Sequence, residues 1–147
     1  MPTLQDKLLN PDTRPKLIRD CQRMLDEEVD RKSGLSGLAV KAAFKMVKAV
    51  KPGFVEGVID ALLDDWVRKL EGHYERWQAA GSNGTFGAYA AADADNVAEK
   101  LLEVTDARAH RIENRAVAKA YASLRPSAKG HTTAAVPALG RVVDRYL

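Results

Sequence analysis

The chain is 147 residues long, 46% hydrophobic and 29% charged, which fits one globular domain, 1–147, with a real core. A net charge of only +3 is too small to identify a polyanion binder. The single cysteine, Cys21, excludes an intrachain disulfide and favours a reducing cytoplasm.

Taken in order, Met1 to Asn10 shows no signal-peptide pattern, because Asp6 and Lys7 interrupt any apolar run. Thr3 and Asp6 read as a capping pair for a short first turn. A helix is expected from Thr13 to about Lys32, with Pro15 in its first turn and Leu17, Ile18, Cys21, Met24, Leu25 and Val29 on one face. Cys21 reads there as a small hydrophobe. Gly34 suits a left-handed cap position, and Ser36 is positioned to cap the next helix.

That next helix, about 37–50, is apolar nearly all the way round. Only Lys41, Lys45 and Lys48 break the pattern, in a sector about 60° wide. Such a helix is expected in the core, and it is too short to cross a membrane, which takes about 20 apolar residues. Its apolar arc is also too wide for an interfacial helix. After Lys51-Pro52-Gly53 a partner helix, about 54–78, carries Val55, Val58, Ile59, Leu62, Leu63, Trp66, Leu70 and Trp77 on one face. Glu56, Asp60 and Asp64 step along the opposite face, where solvation is the favoured reading and pairing with the lysine seam the alternative.

Ala79 to Gly84 is the clearest loop. Asn83-Gly84 can mark a hairpin, but the flanks do not alternate, so no strands are expected. Thr85 is placed to cap a short turn over Phe86 to Ala92, and Asp93 or Asp95 to cap a helix containing Val97, Leu101, Leu102 and Val104. Thr105-Asp106 is read as a bend or restart, with the helical period continuing to Arg125. Pro126 opens a last helical region, which Pro137 is expected to kink or split. The fold class is therefore all-α: a compact bundle of about five to seven helices around a central buried helix (about 37–50) and its partner.

The segments Ser33-Gly34-Leu35-Ser36-Gly37, Lys51-Pro52-Gly53-Phe54-Val55 and Val104-Thr105-Asp106-Ala107-Arg108, with the proline-interrupted tail, resemble a family of short bacterial helical proteins of unknown function. The resemblance spans nearly the whole chain. It implies an all-helical stand-alone domain and carries no active site with it.

Recognisable catalytic and metal patterns fail one by one. Gly34-Leu35-Ser36-Gly37 approaches a nucleophile elbow, but Leu38 replaces its second glycine. Gly81, Gly84 and Gly87 lack the strand and Lys-Ser/Thr of a phosphate loop. His73, His110 and His131 have no metal-ligand spacing, and Asp93-Ala94-Asp95-Asn96 reads as a helix start. No catalytic residue, metal or cofactor is assigned, and an enzyme is the least favoured class.

The charge comes in blocks. Residues 31–51 hold six basic and no acidic side chains, whereas 52–110 hold five basic and eleven acidic ones. Solvated helix faces account for such blocks; alternating charge also favours self-association. The leading expectation is a non-catalytic helical interaction protein that self-associates, as a homo-oligomer and most simply a dimer. The alternative is a carrier for a hydrophobic or anionic amphiphilic small molecule. The candidate ligand-binding residues are Phe44, Trp66, His73 and Trp77, joined by Met46 and Tyr121 as possible lining, with Lys41, Lys45 and Lys48 for an anionic head group. Ordinary core filling is the favoured explanation of the aromatics, and a hydrogen-bonded core position that of His73. Nucleic acid is a weaker partner, because the lysine seam is short.

Overall fold

The computed structural model describes residues 2–147. Met1, where the expected domain and the stretch read for a signal peptide both begin, lies outside them. Among the described residues there are seven helices and no strand: α1 (Leu4–Leu8), α2 (Arg14–Asp30), α3 (Gly34–Lys48), α4 (Phe54–Ala79), α5 (Phe86–Ala91), α6 (Ala94–Ala109) and α7 (Arg115–Asp144). The expected all-α bundle forms, and none of these helices is long and apolar enough to cross a membrane.

Several starts follow the local chemistry. Asp6 N–H donates to Thr3 Oγ1 at 3.1 Å and Thr3 N–H donates to Asp6 Oδ2 at 3.0 Å, a closed capping box. Thr85 accepts from the Ala88 N–H and begins α5. Gly34 (φ +74) and Gly53 (φ +75) take left-handed backbone at the joints before and after α3.

The core is built around α4. Ile59, Leu62, Leu63, Val67, Leu70, His73 and Tyr74 are buried on it. Neighbours in sequence point 100° apart on a helix, so the pairs 62–63 and 73–74 make the buried arc wider than one stripe. α1 and α2 pack against α4, as do α5 and α6, and α7 closes the bundle against α2, α5 and α6. Val58, expected on the buried face, is 39% exposed.

α3 corrects the expected architecture. It begins at Gly34 and not at Gly37, with Ser33 at the cap position, so Ser36 falls inside the first turn. It is no central helix: Gly37 alone is buried on it, while Leu35 is 89% and Leu38 63% exposed. α3 packs through one side, mainly on α7. Val40, Ala43, Phe44 and Val47 are half-buried, whereas Leu35, Leu38, Ala39, Ala42, Met46 and Ala49 are exposed. An apolar circumference permits burial on every side but does not supply neighbours for every side. Alanines also bury little area each, so covering the outer side gains little.

The second correction is α7. Pro126 and Pro137 neither open nor split it; both lie inside one 30-residue helix. An interior proline costs about 3 kcal/mol. Burial of Ala120 before Pro126, and of Val136, Ala138, Gly140, Val142 and Val143 around Pro137, holds both halves against the bundle.

The restart expected at Thr105-Asp106 falls instead after His110. Asn114 Oδ1 accepts from the Ala116 and Val117 N–H groups at 2.9 and 3.1 Å and starts α7 there. Thr105 and Asp106 clasp α6 to α7. Arg125 donates to Asp106 through Nε at 2.9 Å and Nη2 at 3.0 Å, and the Tyr121 hydroxyl donates to the same carboxylate. Arg125, then Tyr121, hold the Asp106 carboxyl below its ordinary range. Arg108 reaches α4, donating to the Ala61 carbonyl at 3.0 Å.

α5 and α7 cross at Gly87 and Gly140. A Cβ on Gly140 would lie 2.7 Å from Gly87 Cα, and one on Gly87 would lie 2.6 Å from the Gly140 carbonyl group. Gly87 N–H also donates to Asp144 at 2.8 Å. Gly140→Ala should therefore cost about 1–3 kcal/mol by overpacking. At roughly 2–4 °C per kcal/mol for a domain of this size, calorimetry should show the loss directly. Gly130→Ala, whose Cβ meets nothing within 4 Å, should raise the melting point or leave it unchanged.

Candidate functional site

The helices leave a cavity of about 310 Å³ between them, partly open to the surface. Its lining is overwhelmingly apolar: Leu8 of α1, Leu17 and Met24 of α2, Val40 of α3, Leu63 and Trp66 of α4, Leu101 of α6, Val136 and Leu139 of α7. Native interiors contain few voids larger than a water molecule. This one is roughly ten times a water's ~30 Å³ share of the liquid. Such a volume is a feature to be explained, not a packing defect.

Few polar residues reach it: Glu28, Lys32, Thr105, His131 and Thr132. Glu28 is paired with Arg31 at 2.7 Å, whereas Lys32 makes no salt bridge among the described residues. Burial, and secondarily the Lys32 ammonium, push the His131 imidazole below its ordinary 6.5. Lys32 and His131 thus form one polar corner of an apolar chamber. Cys21 also lines the cavity; burial, then Asp20, push its thiol up to about 12, so it stays protonated and acts as apolar wall.

The structure scatters the residues that the sequence suggested for a ligand. Trp66 alone stands in the cavity wall, where its indole N–H donates to the Leu101 carbonyl at 3.2 Å. Lys41, Phe44, Lys45 and Lys48 line a separate groove between α2 and α3, together with Asp26 and Asp30. Lys48 donates to Asp26 at 2.8 Å and lies over the Phe44 ring, 5.4 Å from its centroid. Asp60 and Asp64, for which the sequence leaves solvation or pairing with the lysines open, are held by Arg14 at 2.9 and 3.0 Å. The reason is geometric: α2 lies beside α4, and Arg14 at its start reaches the carboxylates first.

His73 and Trp77 stand apart from both regions. His73 is 1% exposed, with Nε2 at 2.9 Å from Asp93 Oδ2 and Nδ1 at 3.5 Å from Lys100 Nζ. An ammonium only donates, so Nδ1 accepts and Nε2 donates to Asp93. Asp93 stands at the N-cap position of α6 yet caps no backbone N–H; its carboxylate is committed to His73 and Asn96. The His73 bond, then that of Asn96, hold the Asp93 carboxyl below its ordinary range. Trp77 belongs to an aromatic cluster with Tyr74 and Phe86, ring centroids 5.4–5.8 Å apart. Met46 is exposed, and Tyr121 serves the α6–α7 clasp.

Sequence reasoning missed Lys32, His131 and Thr132. Metal-ligand spacing, which His131 lacks, is not the relevant pattern. The signal was present in its helical spacing to Ala135, Leu139 and Val142, which places it on the apolar face of α7.

The chain belongs to a family of unknown function (DUF6918), which it matches over residues 4–147. No curated protein and no solved structure matches it.

The His131 environment has a measurable consequence. Its folded-state value lies below the ordinary 6.5, so the unfolded chain binds the proton first as pH falls. Stability from this group is complete above 6.5 and is lost as pH drops from there towards the folded value. Urea midpoints across that window should fall with acid in the native chain, and His131→Gln should fall less. Equal slopes would show that the imidazole is as solvated in the fold as outside it.

Proposed function

We propose that the protein is a non-catalytic carrier for an elongated amphiphile, whose apolar body occupies the central cavity and whose anionic head meets Lys32 and His131. The observation that carries this reading is an apolar chamber of about 310 Å³ with one unpaired cation in its lining. The size lies at the lower end of ligand sites, which run from roughly 300 to 1,000 Å³. It is about twice the engineered apolar cavity of ~150 Å³ that binds benzene. A few polar groups at one corner of an apolar pocket orient a ligand, and a lysine there favours an acid over an alcohol of equal length. A reducing cytoplasm is the compartment that the lone thiol supports.

Trp66 is a built-in reporter for this reading. In a Trp77→Phe background, titration with straight-chain fatty acids should change Trp66 emission saturably. Free ligand at a hundred times its Kd should stabilise the fold by about 2.7 kcal/mol in a thermal melt. The acids should bind more tightly than the matching alcohols, and Lys32→Ala should remove that preference. Ala135→Phe, which fills the chamber from α7, should abolish binding without unfolding the chain. Silence in both fluorescence and melting across the whole chain-length series would overturn the proposal.

A further inference from the structure

α3 carries a second stripe that the cavity does not use. Leu35, Leu38, Ala42, Met46 and Ala49 recur at intervals of three and four, and all five are exposed. Val40, on the opposite side of the same helix, lines the cavity. α3 is therefore a wall with an apolar inside and an apolar outside. Soluble monomers seldom leave such a contiguous stripe uncovered without a partner for it.

The charge beside the stripe selects the partner. Lys41, Lys45 and Lys48 run along one flank, and no carboxylate occurs in the sequence between Asp30 and Glu56. Asp26 and Asp30 of α2 share the groove beneath that flank, but only Lys48 makes a salt bridge there; Lys41 and Lys45 make none among the described residues. A second copy meeting α3 through its own α3 would set two lysine rows beside each other, with Asp26 already held by Lys48 and only Asp30 left to offset them. An apolar stripe beside a lysine row is the pattern of a helix lying in the headgroup region of an anionic bilayer, the apolar side chains towards the acyl chains and the ammonium groups at the phosphates.

We propose that α3 is a docking surface for an anionic lipid bilayer, with Leu35, Leu38 and Met46 dipping into it and Lys41 and Lys45 meeting lipid phosphates. The full arc of this helix is too wide for an interfacial role. Burial of Val40, Ala43, Phe44 and Val47 against the bundle leaves an outer arc of the right width. Docking stands on this outer surface alone and goes beyond the carrier reading, although it would place the cavity wall against a reservoir of amphiphiles.

Co-sedimentation of the full chain with vesicles tests it. Vesicles of phosphatidylcholine mixed with phosphatidylglycerol should retain the protein at least tenfold better than phosphatidylcholine alone, and added salt should reduce the retention. Leu35→Ser with Leu38→Ser, and separately Lys41→Glu with Lys45→Glu, should each lower retention at least tenfold. Leu35 and Leu38 are largely exposed, so the first pair should keep the native melting curve, and their fatty-acid titration should be unchanged. That last readout separates failure of docking from failure of the carrier reading. Equal retention on both vesicle types would overturn the proposal. So would a light-scattering mass that doubles with concentration and returns to the monomer on Leu35→Ser with Leu38→Ser, because the stripe would then belong to a second copy.

Discussion

The buried arc of α4 is wider than any single neighbouring helix can cover, and that constraint arranges the other elements. Leu62 with Leu63, and His73 with Tyr74, require cover on two adjoining sides. α1 and α2 supply one part, with the Leu4 N–H donating to Glu71 of α4 at 2.8 Å. α5 and α6 supply another, through the Tyr74–Phe86 ring contact and the His73–Asp93 bond. Ion pairs then tie the outer edges, Arg14 to Asp60 and Asp64, Lys69 to Glu103, Lys129 to Glu99. Exposed pairs of this kind contribute about 0–1 kcal/mol each, so they refine the register of a bundle that apolar burial assembles. The acidic residues of α4 and α6 are largely engaged in this way, whereas Lys32, Lys41 and Lys45 make no salt bridge among the described residues.

The cavity follows from the same geometry. α2, α4, α6 and α7 lean on one another at their rims, and leucines and valines of moderate size do not meet in the middle. Larger side chains at Ala135 or Val136 would have closed the gap. α3 contributes only Val40 to the wall, which leaves its other side free to face outwards.

Helix positions were legible in the sequence because spacing reports them. Thr3, Thr85, Gly34 and Gly53 mark boundaries by local chemistry, and the period of α4 runs unbroken to Trp77. What spacing does not report is which side of a helix finds a neighbour. The segment 37–50 looked central because it is apolar all round, and its alanines made that pattern without demanding burial. The prolines of α7 misled in the opposite direction: each forbids one backbone bond, but long-range packing on both sides outweighed the local penalty. The cavity was illegible for a related reason. Its lining joins residues from six helices, and Lys32 and His131, which meet at its polar corner, are 99 positions apart in the numbering (131 − 32).

The two prolines also bracket one part of the chamber wall on α7, with Leu139 and Val143 beyond Pro137. His131, Thr132, Ala135 and Val136 all lie between Pro126 and Pro137. Neither proline has an N–H, so the carbonyls of Ala122 and Thr133 lose their donors one turn on, and the Thr133 hydroxyl is buried without a partner. A helix lacking rungs at both ends of one segment bends more easily there than elsewhere. The softest part of the chamber wall is thus a length of main chain, in a helix that burial of Ala120 on one side and of Val142 and Val143 on the other holds to the bundle.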